Sequence, residues 1–126
     1  MCVEFIEPWR TFKKPITVFK VVRPIPDGSW MSELLPNQRS PQSQFDKSEG
    51  SVLSYKKNEV TKGGKYGLYC YRTKAMAINN CSYGRRVIKL RVKEGTKIRY
   101  GELNSDTPTI NVKCAKVLGE IEPDIF

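Results

Sequence analysis

The chain of 126 residues contains no histidine. The commonest general base, metal ligand and partner of a nucleophile is thereby missing, and Ser-His and Cys-His nucleophilic catalysis are excluded. Carboxylates are also few, 13 against 22 lysines and arginines, which leaves a net charge of +9. No apolar run approaches the roughly 18 residues a membrane helix needs. The first ten residues carry Glu4, Glu7 and Pro8 in place of a basic and then apolar leader, so an intracellular, cytoplasmic protein with no membrane partner is expected. The four cysteines, Cys2, Cys70, Cys81 and Cys114, lack any short pair spacing, which argues against structural zinc or another metal. Cys70 and Cys114 sit in apolar, strand-like stretches and read as small buried hydrophobes. No cofactor is expected.

What is present is a set of short β-branched and aromatic runs separated by turn residues. Ile16 to Arg23 reads ITVFKVVR between Pro15 and Pro24, and its two faces, Ile16, Val18, Lys20, Val22 and Thr17, Phe19, Val21, Arg23, are both largely apolar. Such a strand belongs inside a sheet, covered on each side. Pro26, Asp27 and Gly28 make a turn into a return strand over Trp30 to Leu35, and Pro36 to Gly50 reads as a long loop. After a polar stretch from Lys56 to Lys65, Tyr66 to Arg72 predicts a strand. Thr73 is placed to cap a short helix over Lys74 to Asn80. Arg86 to Lys93 alternates most cleanly, with Ile88, Leu90 and Val92 on one face and Lys89, Arg91 and Lys93 on the other. Gly95 turns the chain into Lys97 to Tyr100. Thr109 to Leu118 supplies a last strand, whose parity change predicts a bulge near Cys114. The first fifteen residues, with Phe5, Trp9 and Phe12, are expected against the sheet edge or a second subunit. The fold class is therefore α+β: one domain over residues 1–126, with a largely antiparallel twisted sheet of about six strands and one short helix.

Between Arg85 and Arg99 lie seven cations and one carboxylate, Glu94, so this stretch alone carries +6. A field of that sign attracts phosphates, nucleic acid or an acidic protein. Gly63 to Lys65 is not a phosphate loop, because Glu59 and Tyr66 stand where the pattern needs Gly and Ser or Thr. Tyr66, Tyr69 and Tyr71 cluster on one predicted strand, with Tyr69 and Tyr71 sharing a face. Arg72 ends that strand, and Asn79 and Asn80 end the helix that follows. Aromatic faces, guanidinium forks and amides are what a nucleotide requires. The basic strand also suits single-stranded nucleic acid or an acidic partner whose access it would block. One enzymatic alternative survives, ADP-ribose transfer from NAD, in which Arg23 grips phosphate, Ser51 or Ser54 supports the site and Glu102 is the catalytic carboxylate.

Over VFKVVRP, GLYCYRTKAMAINN and RRVIKLRVKEGTKI, the chain resembles small bacteriophage proteins that sequester the signalling nucleotides of bacterial immunity, in particular the Thoeris anti-defence sponges. That resemblance implies binding of cyclic ADP-ribose isomers without cleavage, in pockets formed where subunits of a homo-oligomer meet, within the host cytoplasm. It also implies an aromatic stacked on adenine, Tyr69 or Tyr71, and an asparagine, Asn79 or Asn80. Diphosphate would fall to Arg99, with Arg23, Arg72, Arg85 and Arg86 as alternatives. No catalytic residue and no metal are implied.

Overall fold

A computed structural model describes residues 3–5, 8–32, 54–63, 67–103 and 107–121. Among these residues eleven strands and one helix follow in chain order: β1 (Val3–Phe5), β2 (Arg10–Thr11), β3 (Ile16–Pro24), β4 (Trp30–Ser32), β5 (Ser54–Tyr55), β6 (Val60–Lys62), β7 (Leu68–Tyr71), α1 (Lys74–Asn79), β8 (Arg86–Val92), β9 (Lys97–Leu103), β10 (Thr107–Val112) and β11 (Cys114–Glu120). All pairings are antiparallel. The class is as the alternating runs predict, but the sheet has more strands than six. The additions are two- and three-residue strands such as β5 and β6, too short to leave a periodic signal within the polar stretch around Lys56 to Lys65. The predicted loop from Pro36 to Gly50 and residue Tyr66 lie outside the described residues. No helix among the described residues is long and apolar enough to cross a membrane.

β3 is the axis of the sheet. It pairs along its length with β8, from Ile16 opposite Val92 to Val22 opposite Arg86, and also touches β7 at Phe19 and β4 near its end. On one side the pairing runs β3, β8, β11, β6; on the other it runs β3, β4, β5. The two arms meet where the Thr61 hydroxyl of β6 donates to the Ser54 carbonyl of β5 at 3.2 Å. The strands therefore trace a small ring. A second limb, β7, β10, β9, leaves β3 and ends at β1 and β2, which both pair with β9, so the N-terminal segment covers this edge.

One core fills the concave side of both limbs. Val18, Val22, Ile88, Leu90, Val92 and Val117 come from the ring, and Leu68, Cys70, Ile98, Ile110 and Val112 from the second limb. Every one is an alternate residue of its strand, as a pleated sheet with one buried face requires. On the convex side α1 covers a smaller apolar patch: Ala77, Val87 and Ile121 are buried there, with Phe19, Val21, Tyr71 and Ile78 packed round them. Thr73 caps α1 by accepting the Met76 N–H at 3.2 Å.

The last strand departs from expectation. Thr109 to Leu118 is not one bulged strand but two strands broken at Lys113, whose N–H donates to the Lys97 carbonyl and whose carbonyl accepts from Gly63. This corner passes the chain from the second limb into the ring. It also explains the parity change at Cys114, and the true register irregularity falls later, between Val117 and Gly119.

One charged side chain reaches into the core among its buried polar residues. Lys20 shares the inward face with Val18 and Val22; its ammonium donates to the Tyr69 carbonyl at 2.6 Å and lies 5.9 Å from the centre of the Tyr55 ring. Burial holds the Lys20 pKa below its ordinary value, although the residue as a whole keeps some exposure along its length. Burial pushes the Cys70 thiol up from 9.0 to about 11, with Lys20 opposing in part. Cys70 is thus an inert thiol at neutral pH. The Tyr55 hydroxyl is buried without a hydrogen-bond partner among the described residues.

Two outcomes follow from these groups. Between pH 9 and 11 the unfolded chain loses the Cys70 proton that the native state keeps, so stability falls with rising pH, by up to about 2–3 kcal/mol. Lys20 has the opposite sign, since its depressed pKa is a penalty at neutral pH that fades towards its unfolded value. Urea unfolding of Cys70→Ala is expected to show a constant loss but a shallower alkaline decline than wild type. Tyr55→Phe, which removes an unpaired buried hydroxyl, is expected to leave stability unchanged or raise it by about 1 kcal/mol; a loss above that would reveal a partner for the hydroxyl.

Candidate functional site

The residues after α1 are arranged by a tight turn. Asn80 caps the helix, its side-chain amide donating to the Met76 carbonyl at 2.8 Å, and the Cys81 N–H donates to the Ile78 carbonyl. Next, the Arg85 N–H donates to the Ser82 carbonyl at 3.1 Å, with Gly84 at φ 82°. A positive φ at the third turn residue is the type II signature and is natural to glycine. Tyr83, the second turn residue, is thereby thrust out and fully exposed.

Between this turn, α1 and the ends of β8 and β11 lies a concavity of about 690 Å³. Its floor is the small convex-side core, Ile78, Val87 and Ile121, and its walls carry Tyr83, Arg85, Arg86 and Glu120 together with Cys81 and Ser82. Glu120 accepts the Trp30 indole N–H at 2.9 Å and stands 4.0 Å from the Arg86 Nε, an exposed and correspondingly weak ion pair. Arg86 also donates to the Arg85 carbonyl at 3.0 Å. Tyr71 supports the floor from within, and its hydroxyl pKa is raised by burial and then by the neighbouring Cys81.

A different group of aromatics and cations sits on the second limb. The Arg10 and Arg72 guanidinium carbons lie 4.7 and 4.3 Å from the centre of the Tyr100 ring, and Arg72 Nε donates to the Thr109 carbonyl. On the opposite face of β9, Arg99 and the Lys113 ammonium lie 4.4 and 4.2 Å from the centre of the Trp9 ring. Buried Asn111 ties the group to the sheet by accepting from Arg99 Nε at 3.1 Å and donating to the Leu68 carbonyl at 2.9 Å. Loss of water lowers the pKa of both Arg99 and Lys113, and for Lys113 the nearby charges of Arg99 and Lys97 add to it. These contacts clamp the N-terminal segment to the sheet edge. Gly67, at φ 78°, is the close approach beneath the clamp, since a Cβ there would lie 2.9 Å from Trp9 Cη2, Asn111 Nδ2 and the Val112 carbonyl oxygen.

The sequence-predicted residues are thus divided. Arg85 and Arg86 line the concavity, Tyr71 underlies it, and Asn79 and Asn80 end the helix beside it. Tyr69 shares the half-buried face of β7 with Tyr71, as alternation predicts, but stands opposite Asn111 on the second limb, as does Arg99. Arg72 belongs to the Tyr100 cluster. Arg23 is exposed at the far end of β3, 3.5 Å from the Met31 sulfur. Of the transferase set, Ser54 lies on β5 one strand beyond Met31, and Glu102 pairs with Glu4 and Pro108 on the second limb, three strands from β3. Ser51 is outside the described residues. Tyr83 was not selected by sequence reasoning, although its Tyr-Gly turn signal was available; Trp9 was expected against the sheet edge, where it lies, but not as the partner of Arg99 and Lys113.

No protein-family model, curated protein or solved structure matches this chain. The two glycines separate steric from conformational cost. Gly84→Ala, with nothing within 4 Å of the added carbon, is expected to cost about 1 kcal/mol for its left-handed backbone alone. Gly67→Ala is expected to cost at least twice as much in urea unfolding and to shift the Trp9 emission in a Trp30→Phe background.

Proposed function

We propose that this protein is a non-enzymatic binder that sequesters a small phosphorylated nucleotide of the cyclic ADP-ribose or cyclic oligonucleotide type. The observation that carries the reading is the concavity after α1, where an apolar floor, an exposed tyrosine ring and two arginines from one turn and strand converge. Its volume lies within the range of small-ligand sites. In this reading Tyr83 stacks on the base, Arg85 and Arg86 fork onto phosphate oxygens, and Glu120 accepts from ribose hydroxyls or a base amine. Ile78, Val87 and Ile121 exclude water from the base. The groups suit holding a nucleotide, and the carboxylate that lines the concavity, Glu120, is engaged by the Trp30 indole and Arg86 rather than held as a base to activate water. A second copy of the chain would close the solvent side of Tyr83, in keeping with the resemblance to sponges that bind between subunits and act as phage counter-defence in the host cytoplasm.

The test is a thermal-shift panel over NAD, cyclic ADP-ribose isomers, cyclic dinucleotides and cyclic trinucleotides, since a ligand of the native state raises Tm. At least one cyclic nucleotide is expected to do so, and to be recovered intact after heating. Tyr83→Ala is expected to weaken that ligand by about 1–3 kcal/mol, in line with base stacking on aromatic side chains. Release of nicotinamide from NAD, abolished in Glu102→Gln, would replace the binder by the transferase. Full affinity in Tyr83→Ala and in Arg85→Ala would remove the concavity as the site.

A further inference from the structure

The convex side of the ring, away from α1, carries a lattice of cations. On β8, Lys89 and Arg91 point outward while Ile88, Leu90 and Val92 are buried, and exposed Lys93 continues the row. On β11, exposed Lys116 stands directly opposite Arg91, and on β6 exposed Lys62 stands opposite Cys114. Side chains on one face repeat about every 6.7 Å along a strand and about 4.8 Å across neighbouring strands. Five positive charges therefore share one small, rigid, twisted surface. The carboxylates nearest in sequence, Glu59 and Glu94, lie in the turns at its borders. Among the described residues none of the five cations forms an ion pair.

We propose that this face binds single-stranded nucleic acid through its phosphodiester backbone, independently of the nucleotide site. The charge is regular and one-dimensional: the row Lys89, Arg91, Lys93 offers one cation per strand repeat to one chain of phosphates, and Lys116 and Lys62 widen the track on one side. The exposed apolar residue of the face is Val60, 57% accessible and opposite Lys116. It provides an apolar contact for a turned-out base but no ring to stack on, so the surface reads charge and not sequence. No described element projects from this face to enter a duplex groove, as groove readers require. Four of the five cations are lysines, point charges without a planar fork, and Arg91 alone carries the bidentate guanidinium that favours a carboxylate.

Fluorescence anisotropy of labelled single-stranded oligonucleotides of mixed sequence tests this directly. Five phosphate contacts predict a slope of log K against log salt of about −3.5, which amounts to roughly a hundredfold loss of affinity from 50 to 200 mM salt. The triple variant Lys89→Gln, Arg91→Gln, Lys116→Gln is expected to retain the fold by circular dichroism, lower the slope by about 2, and abolish binding at 200 mM. Tyr83→Ala is expected to bind the oligonucleotide as wild type does, which separates this face from the concavity. An unchanged affinity in the folded triple variant would overturn the proposal. So would equal binding of poly-glutamate at matched charge, or tighter binding of a duplex of the same sequence.

Discussion

The register between β3 and β8, running from Ile16 opposite Val92 to Val22 opposite Arg86, fixes the inward face of two strands at once. A slip of β8 by one residue against β3 would turn Ile88, Leu90 and Val92 to solvent and bring Lys89 and Arg91 into the core, so the pairing is strongly specified. Everything else is referred to it. The ring closes through β11 on one flank and β4 on the other, and the second limb leaves from Phe19 opposite Tyr71. The same register separates the concavity from the cationic face, because Arg86 and Val87 begin β8 at the concavity while Lys89 and Arg91 face the open convex side.

Much of this was legible in the sequence where a strand has one wet and one dry face. Ile88, Leu90 and Val92 against Lys89 and Arg91 is such a case, and the cap at Thr73 is another, because the side-chain oxygen and the helix it starts are local neighbours. The ring was not legible. Its closure uses β4, β5 and β6, strands too short for a period to show, and its most deeply buried tyrosine, Tyr55, lies beside a polar run. The break at Lys113 was visible only as a change of parity. A bulge and a corner between sheet limbs both shift alternation by one, and only partners distant in sequence distinguish them.

The site followed the same rule. Arg85 and Arg86 were marked by the density of charge, and Tyr71 by the clustering of rings, but convergence depends on α1 turning back over β3 and β8. Tyr69 and Tyr71 share a face, as two-residue alternation demands, yet curvature sends them to different neighbours: Tyr71 to the small core under α1 and Tyr69 to the row of Asn111 and Arg99. Lys20 shows the converse. Its place on an apolar face was evident from spacing alone, whereas its bond to the Tyr69 carbonyl and its depressed pKa arise from a strand 49 residues away.

The corner at Lys113 bears on how the molecule is made. β10 lies between β9 and β7, and β11 lies between β8 and β6, so both strands joined by that corner are inserted between partners synthesised earlier. A nascent chain that has reached β9 therefore holds two unfinished sheets with facing gaps, and neither is filled until the last pair emerges. Such topology places long-range closure late, where folding is slow and open strand edges invite mispairing. Exposed Lys89 and Arg91 flank the gap that β11 fills, so two nascent copies that met there would bring like charges together.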